Sequence, residues 1–142
     1  MNFKNMRFLS TSQKLVQRNR WEQYKFRKGL INRYQVCPIT KLHSSLCDAC
    51  HIFPFHMSSY YDRYNIDNGI LLAKHLHCAF DKRYFTFDQQ TAKINILYKN
   101  LDKMNIKNLS SIDLENKDGL YIPQLDTKES RIYLSMINNL YI

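Results

Sequence analysis

Four side chains between residues 51 and 81 have types and spacings that suit acid–base and metal chemistry. His51 lies in a short apolar run, Asn68 stands at a turn, and His77 and Asp81 are four positions apart in a segment with helical character. Side chains four apart share one face of a helix, so His77 and Asp81 could hold one divalent metal ion together.

The elements that must position these residues are two short strands and a helix. The run 49–55 predicts a buried strand, which Pro54 ends or confines to a sheet edge. Residues 67–69 read Asp-Asn-Gly, a strong turn signal, and precede a second predicted strand at 70–72. A short helix is then predicted over 74–82, which would bring its polar face close to the strands.

Two longer helices are expected to flank this centre. One spans 12–28 and would end at Gly29. The other follows Asp126 and Glu129, which resemble a capping box, and its apolar face would cover the core. That face consists of Tyr133, Met136, Ile137, Leu140 and Tyr141. A second pair of strands is predicted at 84–87 and 94–98, and loops at 57–67 and 99–125.

The charge is distributed unevenly along the chain. The net charge is +9, and residues 1–36 contain nine Lys and Arg against one acid, Glu22. Such an asymmetry indicates a polyanionic partner, most often a nucleic acid. The predicted N-terminal helix carries a basic stripe at helical spacing with one aromatic, which suits contacts to phosphates. The stripe is formed by Lys14, Arg18, Trp21, Lys25 and Lys28, with Arg20 and Arg27 beside it.

The chain has no apolar run near the roughly 18 residues of a membrane span and no apolar stretch typical of a secretion signal. We therefore expect it to act inside a cell, as a cytoplasmic, nuclear or viral or phage-encoded protein, with import into an organelle as an alternative. Disulfides are not expected in such a compartment. The four cysteines, Cys37, Cys47, Cys50 and Cys78, then bind a metal or serve as small buried side chains.

The order of these motifs resembles the HNH endonuclease family over residues 37–88. Each short motif is common, but their order, spacing and strand–turn–strand–helix context together are specific. The residues that carry the resemblance are Cys37, Ala49, His51, Ile52, Pro54, Asn68, Gly69, Ile70, Leu72, Leu76, His77, Phe80 and Asp81.

The resemblance implies a ββα-metal core and a metal-dependent phosphodiesterase that acts on DNA. By analogy, His51 is the general base that takes a proton from the attacking water. Asn68 holds the His51 loop and orients its ring through an amide hydrogen bond, and His77 ligates the metal with Asp81 as second ligand. Basic residues beside the core would grip the DNA backbone; they are Arg63, Lys74, Lys82 and Arg83.

The residue before the presumed base departs from many HNH proteins, which place a metal ligand there. This chain has Cys50, whose thiolate would favour a soft metal such as zinc over magnesium. Asp48 is the alternative, although alternate residues of a strand share a face, which points Asp48 with Cys50 and away from His51. The sequence leaves both open.

The sequence thus predicts an α+β fold with a basic N-terminal helix, a ββα-metal core, a small antiparallel extension and a C-terminal helix. The expected segments are 1–36, 37–98 and 99–142. The predicted function is hydrolysis of phosphodiester bonds in double-stranded DNA with one divalent ion, Mg²⁺ or Mn²⁺ first and Zn²⁺ or Ni²⁺ next. A homodimer is one route to a double-strand cut. The rivals are a zinc-bound nucleic-acid-binding module with Cys47-x-x-Cys50 and an inactive HNH-fold protein.

Overall fold

The computed structural model describes residues 9–141. Lys4 and Arg7, which belong to the predicted basic extension, lie outside the described residues. The elements in chain order are α1 (Thr11–Tyr34), β1 (Cys47–His51), α2 (Tyr60–Tyr64), β2 (Gly69–Ala73), α3 (Lys74–Asp81), β3 (Phe85–Phe87), β4 (Ile94–Ile96), α4 (Tyr98–Lys103) and α5 (Lys128–Asn139). Between residues 9 and 141, no helix has the length and hydropathy that crossing a membrane requires.

The predicted α+β class is confirmed, and its centre is a hairpin followed at once by a helix. β1 and β2 pair antiparallel, from Cys47 opposite Ala73 to His51 opposite Gly69. α3 starts directly after β2, so the helix folds back on the hairpin. β1 starts earlier than predicted and ends at His51, since a short helical turn follows Pro54.

The first helix is longer than predicted. It begins with a capping box formed by Ser10 and Gln13, and it runs through Gly29 to Tyr34. Gly29 is needed for close packing and does not end the helix: a Cβ there would lie 2.4 Å from Cδ1 of Ile66. The last turns of α1 belong to the core, because Phe26, Leu30 and Tyr34 are buried.

Three further boundaries differ from the sequence prediction. Part of the loop expected at 57–67 is the helix α2, whose first turn is capped by Ser59. The second strand of the extension ends at Ile96 and not at Tyr98, which opens α4, and α4 continues into the region expected to be loops. α5 is capped by Thr127, whose hydroxyl accepts from the N–H of Ser130, whereas Asp126 pairs with Arg131.

Candidate active site

His51 stands at the end of β1, where its ring is wedged between aromatic side chains. It stacks on Phe26 of α1, with ring centroids 4.6 Å apart, and meets the edge of Phe55. Its Nε2 lies 2.6 Å from the carbonyl oxygen of Arg63. Because a carbonyl only accepts, Nε2 donates and Nδ1 keeps the lone pair of the neutral ring.

The surroundings of His51 favour that neutral ring. Burial is the largest cause and lowers the pKa of His51 from its ordinary value of 6.5, while the hydrogen bond to the Arg63 carbonyl opposes this more weakly. The positive charge of Arg63 adds to the lowering of the pKa of His51. His51 is therefore neutral at neutral pH, which is the form that a general base needs.

Asn68 is fully buried and fastens the two ends of the loop beside His51. Its Oδ1 accepts from the N–H of Phe53 at 2.8 Å, and its Nδ2 donates to the carbonyl oxygens of Phe53 and Asp62 at 3.3 and 2.9 Å. The predicted role in holding the loop fits these contacts. The predicted hydrogen bond from its amide to the ring of His51 is wrong, because the Arg63 carbonyl occupies that place.

His77 on α3 lies between two carboxylates. Its Nδ1 is 2.9 Å from Oδ2 of Asp48, and its Nε2 is 3.2 Å from Oδ2 of Asp81. Burial opposes ionisation of Asp48, but the hydrogen bonds from His77 and Lys74 outweigh it and hold the pKa of Asp48 below its ordinary value. Ionised Asp48 accepts from Nδ1, so Nε2 is the His77 nitrogen that faces Asp81.

The structure favours Asp48 over Cys50, the choice that the sequence left open. Cys50 is 1% exposed, and its thiol donates to the carbonyl oxygen of Asp48 at 3.4 Å. Burial raises the pKa of the Cys50 thiol well above its ordinary value, which favours the neutral thiol over the thiolate that binds metals. The side chain of Asp48 is 32% exposed, and α3 brings His77 to it.

The cysteines do not assemble into the four-thiolate site of the rival interpretation. All four are free; Cys37, Cys47 and Cys50 are buried, whereas Cys78 is exposed on α3. Among residues 9–141, no group of three or more His, Cys, Asp and Glu side chains is arranged to hold a metal ion. The arrangement around His77 therefore offers two possible metal ligands, Nε2 of His77 and the Asp81 carboxylate, which face each other. The carboxylate of Asp48 lies at the other ring nitrogen, Nδ1.

One cavity joins the two histidines. It has a volume of about 360 Å³, and His51, His77, Asp81 and Arg83 line it together with Tyr141 from beyond the end of α5. His51 and the His77–Asp81 pair thus open onto the same space, as the chemistry predicted from the sequence requires. Ile137 of α5 also lines this cavity.

The predicted DNA-contacting residues fall into two groups. Exposed side chains include Lys14, Arg18, Arg20, Lys25, Lys28, Lys74 and Lys82. Two arginines are occupied by the fold: Arg27 donates to the carbonyls of Ser44 and Cys47, and Arg63 donates to the carbonyl of Phe55. These two stabilise the start of β1 and the loop near His51, so their donors are less available to a phosphate.

Sequence reasoning missed the groups that orient the histidines. The acceptor for His51 is a main-chain carbonyl, and its stacking partner Phe26 comes from a helix assigned to DNA contact. The loop is also tied to α5, because the hydroxyl of Tyr133 donates to Asp62 at 2.5 Å. A main-chain acceptor cannot be predicted from residue types, because every residue has a carbonyl group. The burial of Phe26 and Tyr133 could have been predicted, because each belongs to the buried face of its helix.

Residues 37–88 match the family model of the HNH endonucleases. This segment is similar to the HNH endonuclease family. The match includes His51, Asn68, His77 and Asp81, and it confirms the resemblance seen in the sequence. The family consists of nucleases, which hydrolyse phosphodiester bonds, and its members generally use a divalent metal ion. A comparison with curated proteins gave no match.

The first prediction concerns the ring of His51 in the metal-free HNH segment of the full chain. We expect it to titrate below its ordinary pKa of 6.5 and to carry its proton on Nε2. Long-range ¹H–¹⁵N NMR of the ring nitrogens measures both properties. Phe26→Leu removes the stacked ring and should raise the pKa of His51, because water regains access. A pKa above 6.5 or a proton on Nδ1 would contradict the orientation described here.

Proposed function

We propose that the chain is a metal-dependent endonuclease that hydrolyses phosphodiester bonds in double-stranded DNA. The observation that supports this best is the single cavity shared by a neutral, oriented His51 and the His77–Asp81 pair. The family match supports a nuclease at the coarse level. The basic, exposed face of α1 supports a polyanionic substrate.

His51 is proposed to act as the general base. The Arg63 carbonyl holds its proton on Nε2, so Nδ1 has the lone pair that accepts a proton from the attacking water. Its lowered pKa keeps Nδ1 free at neutral pH, and activity should fall as the pH drops through that pKa. A positioned base of this kind contributes about 10²–10⁴-fold to a rate.

His77 and Asp81 are proposed to hold the divalent ion. Their donor types fit: an imidazole nitrogen faces a carboxylate oxygen across 3.2 Å, and Mg²⁺ or Mn²⁺ commonly retains several waters beside one or two carboxylates. Asp48 holds the other nitrogen of His77, which is how a supporting carboxylate orients a metal-bound imidazole. The ion would supply a positive charge for the scissile phosphate and the departing oxygen.

A plasmid-nicking assay tests the proposal with His51→Ala. We expect cleavage to fall by about 10²–10⁴-fold because the base is lost, while DNA binding is retained. His75→Ala is the matched control, because His75 lies on α3 but pairs with Asp113 at 3.0 Å. Wild-type chain that binds DNA without cutting it in Mg²⁺, Mn²⁺, Ni²⁺ or Zn²⁺ would instead identify an inactive HNH-fold protein. Since the described part of the chain has one such site, nicked circles should precede linear product.

A second experiment separates Asp48 from Cys50 at the metal site. Asp48→Asn should weaken Mn²⁺ binding by about 10–100-fold, because the carboxylate that orients His77 is lost. Cys50→Ala should leave the affinity unchanged, because the thiol is enclosed by the core. Isothermal titration calorimetry with Mn²⁺ alone measures both variants. A loss of affinity in Cys50→Ala with no loss in Asp48→Asn would restore Cys50 as the ligand.

The basic helix is tested by substitution, since deleting residues 1–36 would also remove core side chains of α1. Replacing Lys14, Arg18 and Arg20 together by Gln should weaken DNA binding and flatten the slope of log K against log salt by up to about 3, because each lost phosphate contact contributes about 0.9. The control replaces the exposed Lys93, Lys107 and Lys128 by Gln, which removes the same charge. Equal slopes for the two triple variants would exclude a specific role of α1.

A further inference from the structure

Arg83 follows α3 in a backbone conformation that few non-glycine residues adopt. Its φ is 59°, and its N–H donates to the carbonyl of Phe80 at 3.0 Å, while the N–H of Tyr84 donates to Ala79 at 3.0 Å. This is the left-handed position after a helix, where glycine is the usual residue. Six other non-glycine residues of the described chain also have a positive φ, so the case for Arg83 depends on the contacts of its side chain.

The guanidinium of Arg83 makes only weak contacts within the protein. It lies over the ring of Tyr141 at 4.4 Å, and it donates to Thr86 Oγ1 and Asn138 Oδ1 at 3.3 and 3.4 Å, both neutral acceptors. Its Nε is buried without a hydrogen-bond partner. No carboxylate pairs with Arg83 in the part of the chain that the structure describes. The guanidinium thus retains donors and a full charge for an anion.

The structural tie between α5 and β3 does not depend on Arg83. The hydroxyl of Thr86 donates to Oδ1 of Asn138 at 2.6 Å, and Nδ2 of Asn138 donates to the carbonyl of Phe87 at 2.9 Å. These contacts join the two elements directly. If Arg83 were only structural, its weak hydrogen bonds would add little to the contacts by which Asn138 already joins α5 to β3.

The position of Arg83 links two cavities. The first is the candidate active site, which it lines with His51, His77 and Asp81. The second has a volume of about 420 Å³, shares Asp81, Arg83 and Tyr141 with the first, and has Lys82 and Lys103 on its wall. Arg83 is half-buried between them, where a charge acts through a lower dielectric than at the open surface.

We propose that Arg83 binds a non-bridging oxygen of the scissile phosphate, and that the cut strand continues across Tyr141 towards Lys82 and Lys103. The inference rests on the proposed nuclease function and deepens it by naming a residue that stabilises charge in the transition state. A guanidinium matches a phosphate with two parallel N–H donors, which a lysine cannot do. The ring of Tyr141, which also lines the cavity, holds the guanidinium in place by a cation–π contact at 4.4 Å.

The test compares Arg83→Gly with Lys41→Gly. Glycine fits the left-handed backbone, so Arg83→Gly should melt at the wild-type temperature or above it. Its single-turnover cleavage at saturating DNA should fall by about 10²–10³-fold, as for loss of one transition-state donor. Lys41 also has a positive φ, 65°, and lies outside both cavities, so its replacement removes the same charge under the same backbone condition. It should cut at the wild-type rate.

Two further readouts make the outcome decisive. Guanidinium chloride at low concentration should restore part of the rate of Arg83→Gly, whereas NaCl of equal ionic strength should not. Arg83→Lys should recover only part of the lost rate. Wild-type cleavage by Arg83→Gly, or a loss of activity that follows a lower melting temperature, would overturn the assignment.

The inference and the nuclease function can fail separately. If His51→Ala abolishes cutting but Arg83→Gly cuts normally, only the role of Arg83 falls. If the wild-type chain does not cut DNA under any condition, the role of Arg83 is tested by measuring the affinity of the variants for a short DNA duplex in metal-free buffer. Weaker binding by Arg83→Gly than by Lys41→Gly would support phosphate contact by Arg83, and equal binding would overturn it.

Discussion

The hydrogen bond between Nε2 of His51 and the carbonyl oxygen of Arg63 is the interaction on which the site depends. It decides which nitrogen has the lone pair and holds the ring against Phe26. Its acceptor lies on α2, inside a loop whose ends Asn68 fastens with three hydrogen bonds. Leaving one such buried group unpaired costs about 1–3 kcal/mol, so Asn68 keeps both the loop and the proton position of His51 in place.

The two histidines that line the cavity have hydrogen-bond acceptors at different ring nitrogens. A carbonyl holds the proton of His51 on Nε2, while the carboxylate of Asp48 holds that of His77 on Nδ1. The first arrangement leaves Nδ1 for acid–base work and the second leaves Nε2 facing Asp81. The two histidines thus present different ring nitrogens to one cavity, which suits the two roles proposed for them.

The parts of the fold and site that the sequence predicted are those with a local signal. The spacing of His77 and Asp81 on a short helix and the turn at Asn68 are both properties of neighbouring residues. Gly29 was misassigned because its role is a contact with Ile66, more than thirty positions away. The orientation of His51 was also beyond reach, since its acceptor is the main chain of Arg63. The sequence placed Asp48 on the first strand, but only the return of α3 shows that Asp48 meets His77.

The long first helix explains why the basic segment and the active site belong to one folded unit. Its first half carries exposed cations, whereas Phe26 and Leu30 in its second half pack on β2, where the absent side chain of Gly69 admits them. A Cβ at Gly69 would lie 2.6 Å from Cζ of Phe26, the ring on which His51 stacks. The exposed half of α1 is therefore joined through one continuous helix to Phe26, the residue on which His51 stacks. DNA bound along α1 would be held in a fixed register with the cavity, which a flexible basic tail could not achieve.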